Sequence, residues 1–143
     1  MNIDFNFEDV NFVLPDEQSL KDWIDYTVKN ERCFTGNLSY IFCSDEYLWN
    51  MNKQYLDHDY YTDIITFDYV VDQFVSGDMF ISYDRICDNA EKFGVSRETE
   101  LLRVMIHGVL HLVGYDDLTD EQEAEIHGME DFYIDVYNSK FKK

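Results

Sequence analysis

His107 and His111 stand four residues apart in the stretch His107-Gly108-Val109-Leu110-His111-Leu112-Val113-Gly114-Tyr115-Asp116-Asp117. On a helix, that spacing stacks both imidazoles on one face, one turn apart. Their neighbours are apolar nearly all round: Val104, Met105, Ile106, Val109, Leu110, Leu112 and Val113. Such a helix is buried. Buried ring nitrogens need partners, and one metal ion serves both histidines. Gly114 can end the helix in a left-handed turn, after which the chain can fold back with a third donor from Asp116 or Asp117. Two histidines and a carboxylate suit zinc with one position open to water, and they also suit non-haem iron. The plain alternative is a pair of core histidines bonded to backbone.

Other residues compete for roles near this helix. The familiar helical zinc motif of peptidases places a glutamate directly after the first histidine, as general base. Gly108 occupies that position here, which disfavours a peptidase and leaves the catalytic acid and base unassigned. Arg103, one turn before His107, can steady a substrate phosphate, although a salt bridge to Glu100 or another acid is the simpler reading. His127 is a rival ligand, but it sits beside Glu123 and Glu130, off the stripe of Ile126 and Met129, and reads as a surface histidine. His58 lies in the polar loop Leu56-Asp57-His58-Asp59 and reads the same way. The nine acids in residues 116–135 read mostly as a solvated helix face.

Composition narrows the function classes. Thirty acids against 11 bases give a net charge of −19, and residues 104–139 hold no Lys or Arg at all. This balance argues against a free-standing nucleic-acid binder and favours repulsion from anionic membranes. No apolar run is long enough to span a bilayer, and residues 1–8 lack a signal pattern. Cys33, Cys43 and Cys87 form an odd set with no CxxC. They argue against a disulfide framework or a zinc ribbon and fit a reducing, cytoplasmic location.

The elements that must carry the histidines follow from periodicity. Ile3, Phe5 and Phe7 alternate with polar residues as a strand. Residues 16–30 read as a helix with Leu20, Trp23, Ile24 and Val28 inward. Leu38, Tyr40 and Phe42 form a second strand, and Ser44 and Asp45 cap a helix to about Leu56. Residues 62–71 and 77–83 are strands joined by a short loop, hence an antiparallel hairpin. A helix over residues 84–93 ends at Gly94, and Ser96 caps the histidine helix. Thr119 and Gln122 form a capping box for the last helix, whose inner stripe is Ile126, Met129, Tyr133 and Val136. The order β-α-β-α-β-β-α-α-α predicts a single α+β domain over residues 1–143: a mixed four-stranded sheet with about five helices packed on it, and a metal site at the end of a buried helix.

The quoted motif resembles that of the YbeY-type endoribonucleases, bacterial rRNA maturation factors that carry one zinc and share the pattern HGxLHLxGYDH. Two more signatures of that family are similar here, as Thr62-Asp63-Ile64-Ile65-Thr66-Phe67 and Gly77-Asp78-Met79-Phe80-Ile81-Ser82. Order and spacing agree over about residues 52–129. The resemblance implies metal ligands His107, His111 and Asp117, with Asp117 where the family has a third histidine. Leu56 stands where the family has an arginine, and Tyr61 where it has a proline. The implied activity is metal-dependent cleavage of single-stranded RNA in maturation of the small-subunit rRNA 3′ end and in ribosome quality control. The implied cofactor is one Zn²⁺, or another divalent metal. Asp116 would orient a ligand histidine, and His58 would be a conceivable substitute for the absent arginine. Nine acids near the metal should repel a polyanion, so binding to naked RNA is expected to be weak. Delivery then falls to a ribosomal protein or a ribosome-associated GTPase. The alternatives are a non-catalytic ribosome-assembly factor with a structural metal, a metal-dependent hydrolase of another substrate, and an iron oxygenase.

Overall fold

The computed structural model of the protein describes residues 2–56 and 62–143, so His58 and Tyr61 lie outside the described residues. In chain order the elements are β1 (Asn2–Phe7), α1 (Glu17–Asn30), β2 (Phe34–Cys43), α2 (Asp45–Leu56), β3 (Ile64–Asp68), β4 (Phe74–Ser82), α3 (Tyr83–Phe93), α4 (Arg97–Leu112) and α5 (Asp120–Val136), followed by a π-helical turn, Tyr137–Phe141. The sheet order is β1-β2-β4-β3. β1 and β4 flank β2 in parallel, and β3 pairs antiparallel with β4. The expected α+β fold, with a mixed four-stranded sheet and five α-helices, is what forms.

Strand alternation splits the sheet into two faces. Leu38, Tyr40 and Phe42 of β2 and Val75, Met79 and Ile81 of β4 enter the main core with Leu20, Trp23, Ile106, Val109 and Tyr133. Ile65 and Cys43 face the other way and meet Leu48 of α2. Trp23 Nε1–H donates to the Tyr133 carbonyl at 2.8 Å, which fastens α1 to α5. Tyr40 Oη–H donates to the Met105 carbonyl at 3.1 Å, which fastens the sheet to α4. A buried polar tip needs such a partner.

Several strand boundaries differ from the alternation pattern: β4 begins at Phe74, three residues before Gly77, where Phe74 pairs with Phe34 of β2, and β3 begins at Ile64, two residues after Thr62. β2 begins at Phe34, earlier than its alternation shows, because its pairing with β4 shifts register between Thr35 and Leu38, and a bulge breaks the period of two. β3 stops at Asp68, although Tyr69 and Val71 continue the alternation. Val71 makes only an isolated bridge to Phe74, and Asp72 turns the chain at φ 54°. Helix starts follow their caps: Asp16, Ser82 and Ser96 each accept a backbone N–H three residues on, and Thr119 and Gln122 form the complete reciprocal box.

The seating of α4 depends on Gly108. A Cβ there would stand 2.7 Å from Met79 Sδ and 3.0 Å from Ile64 Cδ1, so α4 approaches the sheet through a residue without a side chain. The position after the first histidine therefore faces the core, where a glutamate base could not reach a substrate. The three cysteines are free. No helix among the described residues is long and apolar enough to cross a membrane.

Candidate metal centre

α4 ends in a turn that aims the chain back along its own last turn. The Tyr115 N–H donates to the Leu110 carbonyl at 3.0 Å, and the Gly114 N–H donates to the His111 carbonyl at 3.1 Å. These are the paired bonds of a Schellman motif. They need a left-handed residue, and Gly114 supplies it at φ 116°. Tyr115 Oη–H donates to Glu31 Oε1 at 2.9 Å, which pins the turn to the end of α1. Further on, Gln122 Oε1 accepts from the backbone of Leu118 at 3.0 Å and Thr119 at 3.2 Å. Asp117 is thus strung between two fixed points.

The result is a convergence of three donors. His107 Nε2 and His111 Nε2 are 3.0 Å apart. Asp117 Oδ2 lies 3.3 Å from His111 Nε2 and 3.5 Å from His107 Nε2. Neighbouring ligands on a tetrahedral zinc, with bonds of about 2.0–2.1 Å, stand roughly 3.3–3.4 Å apart. The three edges bracket that value, so the set fits a zinc-sized ion. Among the described residues this is the one group of three or more His, Cys, Asp or Glu side chains close enough to hold a metal. His127 is not in it. Its side chain is 54% exposed and neighbours Glu123 and Glu130.

Glu130 is the residue that sequence reasoning missed. The solvated face expected of the acids in residues 116–135 does not include it, because it is 1% exposed. Its Oε2 lies 2.6 Å from His107 Nδ1. With the ring proton on Nδ1, His107 donates to Glu130 and turns the Nε2 lone pair toward the cluster. Oε1 of Glu130 accepts from Arg103 at 3.0 Å, and Arg103 also reaches Asp131 at 2.6 Å. Arg103 is therefore in an ion pair, as expected, but with α5 acids and not with Glu100. Asp116 does not orient a histidine. It is exposed and lines a different cleft, with Glu31 and Tyr115. The signal for Glu130 was its place four residues after Ile126 and three before Tyr133, on the inner stripe.

A cleft of about 300 Å³ opens beside the donors, lined by Asp63, Glu100, Arg103, His107, Asp117 and Glu130 among others. Burial disfavours charge on His107, yet the bond to Glu130 and the nearby Asp63 and Asp117 raise its pKa above the ordinary value. Burial also raises the Asp63 carboxyl above its ordinary value. Glu100 is 3% exposed, and burial pushes it up to about 7, with Asp63 and Glu130 adding to the rise against the pull of Arg103. Two of the acids in the cleft are therefore reluctant to ionise.

The family described as Endoribonuclease YbeY matches residues 3–138 of the chain. An Endoribonuclease YbeY of Flavobacterium johnsoniae is 45% identical over 136 residues, covering 95% of this chain and 97% of that protein. One from Bacteroides thetaiotaomicron is 50% identical over 106 residues, covering 73% and 77%. A solution structure of a Thermotoga maritima protein is similar with a TM-score of 0.67 at 27% identity, covering 94% of this chain and 88% of that one.

Proposed function

We propose, since the chain belongs to the Endoribonuclease YbeY family, that it is a metal-dependent endoribonuclease of single-stranded RNA, acting in maturation of the small-subunit rRNA 3′ end and in ribosome quality control. The observation that carries this reading is the convergence of His107 Nε2, His111 Nε2 and Asp117 Oδ2 beside a cleft open to a substrate. These three residues are the proposed ligands of one Zn²⁺ per chain. When bound, the ion supplies Lewis acidity to a water or a phosphoryl oxygen.

The remaining work falls to side chains of this chain. Glu130 holds the His107 proton at Nδ1 and keeps the ring in register. Arg103, tied to Glu130 and Asp131, fixes α4 against α5 and is thereby drawn away from a substrate phosphate. Asp117 and Glu130 line the cleft with carboxylates, which opposes entry of a polyanion. Naked RNA therefore binds weakly, and a ribosomal protein or ribosome-associated GTPase delivers the rRNA. The reading places the protein in the cytoplasm, where its free cysteines meet a reducing environment.

Metal removal tests this. Zinc-loaded protein should cut a single-stranded RNA oligonucleotide and spare the same sequence in a duplex. Chelation should reduce cleavage to background, and zinc added back should restore it. Cleavage that persists undiminished in fully stripped protein contradicts the reading.

A further inference from the structure

The cleft extends beyond the metal donors. At its far end stand Asn89 and Phe93 from α3 and Glu100 from the first turns of α4. Glu100 lies seven residues before His107, two helical turns along the same stripe, which separates their backbones by about 10 Å. Glu100 is 3% exposed, and its carboxyl has no salt bridge among the described residues; Arg103, one turn on, is committed to Glu130 and Asp131. Among the described residues no buried side-chain oxygen lacks a partner, so the Glu100 carboxyl opens onto the cleft it lines, where a ligand can supply donors to it. Asn89 and Phe93 are four apart on α3 and share a face. The Phe93 ring is 59% exposed at the rim, with Lys92 Nζ 5.5 Å from its centroid.

We propose that Asn89, Phe93 and Glu100 form a nucleobase subsite, which takes one unstacked base of single-stranded RNA and reads its exocyclic amino group. The proposal rests on the endoribonuclease reading and deepens it. Single-stranded RNA is recognised by bases splayed onto aromatic rings and bonded along their edges. Phe93 provides the ring, Glu100 the acceptor for an amino N–H, and Asn89 an amide that both donates and accepts. The two-turn offset matches the reach from a phosphate at the histidine end to the edge of its own base. Near pH 7 the Glu100 carboxyl exchanges between neutral and ionised forms, so it can meet the base without placing a full charge beside the phosphate. The titratable groups that line the cleft with it are Asp63 ahead of β3, Arg103 and His107 on α4, Asp117 after α4, and His127 and Glu130 on α5. Uracil, which has no amino group, is the disfavoured base.

The test is an NMR titration of zinc-loaded, full-length protein with cytidine 5′-monophosphate and uridine 5′-monophosphate, which carry the same phosphate and ring size. The cytidine nucleotide should bind more tightly by at least about fivefold, the low end for one good base contact, and should shift the amides of Asn89, Phe93 and Glu100. Glu100→Gln should bring the ratio close to one, because its amide can also donate to a uracil carbonyl. Phe93→Ala, at an exposed position that folding does not need, should weaken both nucleotides. Equal affinities in the unmodified protein, no binding, or shifts confined to the histidine end would each overturn the subsite. A failure of the endoribonuclease reading shows separately, as absence of RNA cleavage in the same preparation.

Discussion

Replacing His107 by alanine is expected to remove bound metal and RNA cleavage together, while replacing Glu130 by alanine weakens the metal without eliminating it. His107→Ala leaves two donors of the three that meet at 3.0–3.5 Å, too few to retain zinc through purification, and His111→Ala should behave alike. Glu130 touches no donor position of the cluster itself. Its loss frees the His107 ring to rotate and to take the other tautomer, an effect that typically costs about 10- to 100-fold in metal affinity. The same change removes one of the two acids paired with Arg103. Breaking a buried ion pair costs about 3–5 kcal/mol; because Arg103 is 28% exposed and keeps Asp131, a loss near about 3 kcal/mol is expected. Competition with a zinc indicator and urea denaturation measure the two effects. A Glu130→Ala protein with unaltered zinc affinity refutes its role in holding His107.

The second large effect is a pH-dependent stabilisation by Glu100→Gln. Glu100 holds its proton up to about 7 in the folded protein, against the ordinary 4.5 when unfolded. Between those values the folded state binds more protons than the unfolded state, so this residue lowers stability as pH rises through the window. The full swing is on the order of 3 kcal/mol. Glutamine has no proton to lose. The metal-free variant should therefore gain that much over the unmodified protein above pH 7, and the gain should vanish below pH 4.5. Other carboxylates titrate in both proteins and cancel in the difference. A stability difference that stays flat across the window means Glu100 ionises normally.

The parts of the site visible in the sequence were those set by local rules. The spacing of His107 and His111 fixes a shared helix face, Gly114 supplies the left-handed residue of the turn, and Thr119 with Gln122 marks where α5 must begin. Those features determine where Asp117 can lie, whereas residue type alone does not separate Asp117 from Asp116. What was hidden depended on how helices pack. Glu130 looks like its acidic neighbours until α5 is laid against α4, where it meets both His107 and Arg103. Arg103 and Glu100 are close enough in sequence to pair on one helix, yet the arginine reaches across to α5 and leaves Glu100 facing the cleft. In the sheet, alternation located every strand, but it missed the start of β2 at a register shift, missed the first three residues of β4, and ran past the end of β3 into a turn.

The most direct measurement is the metal content of freshly purified protein beside that of Asp117→Ala, by elemental analysis. Close to one equivalent of zinc in the unmodified chain, sharply reduced in the variant, is the expected result. A variant that keeps its full complement of zinc, or an unmodified protein that takes up none when zinc is supplied, contradicts the assignment of His107, His111 and Asp117 as a shared metal site.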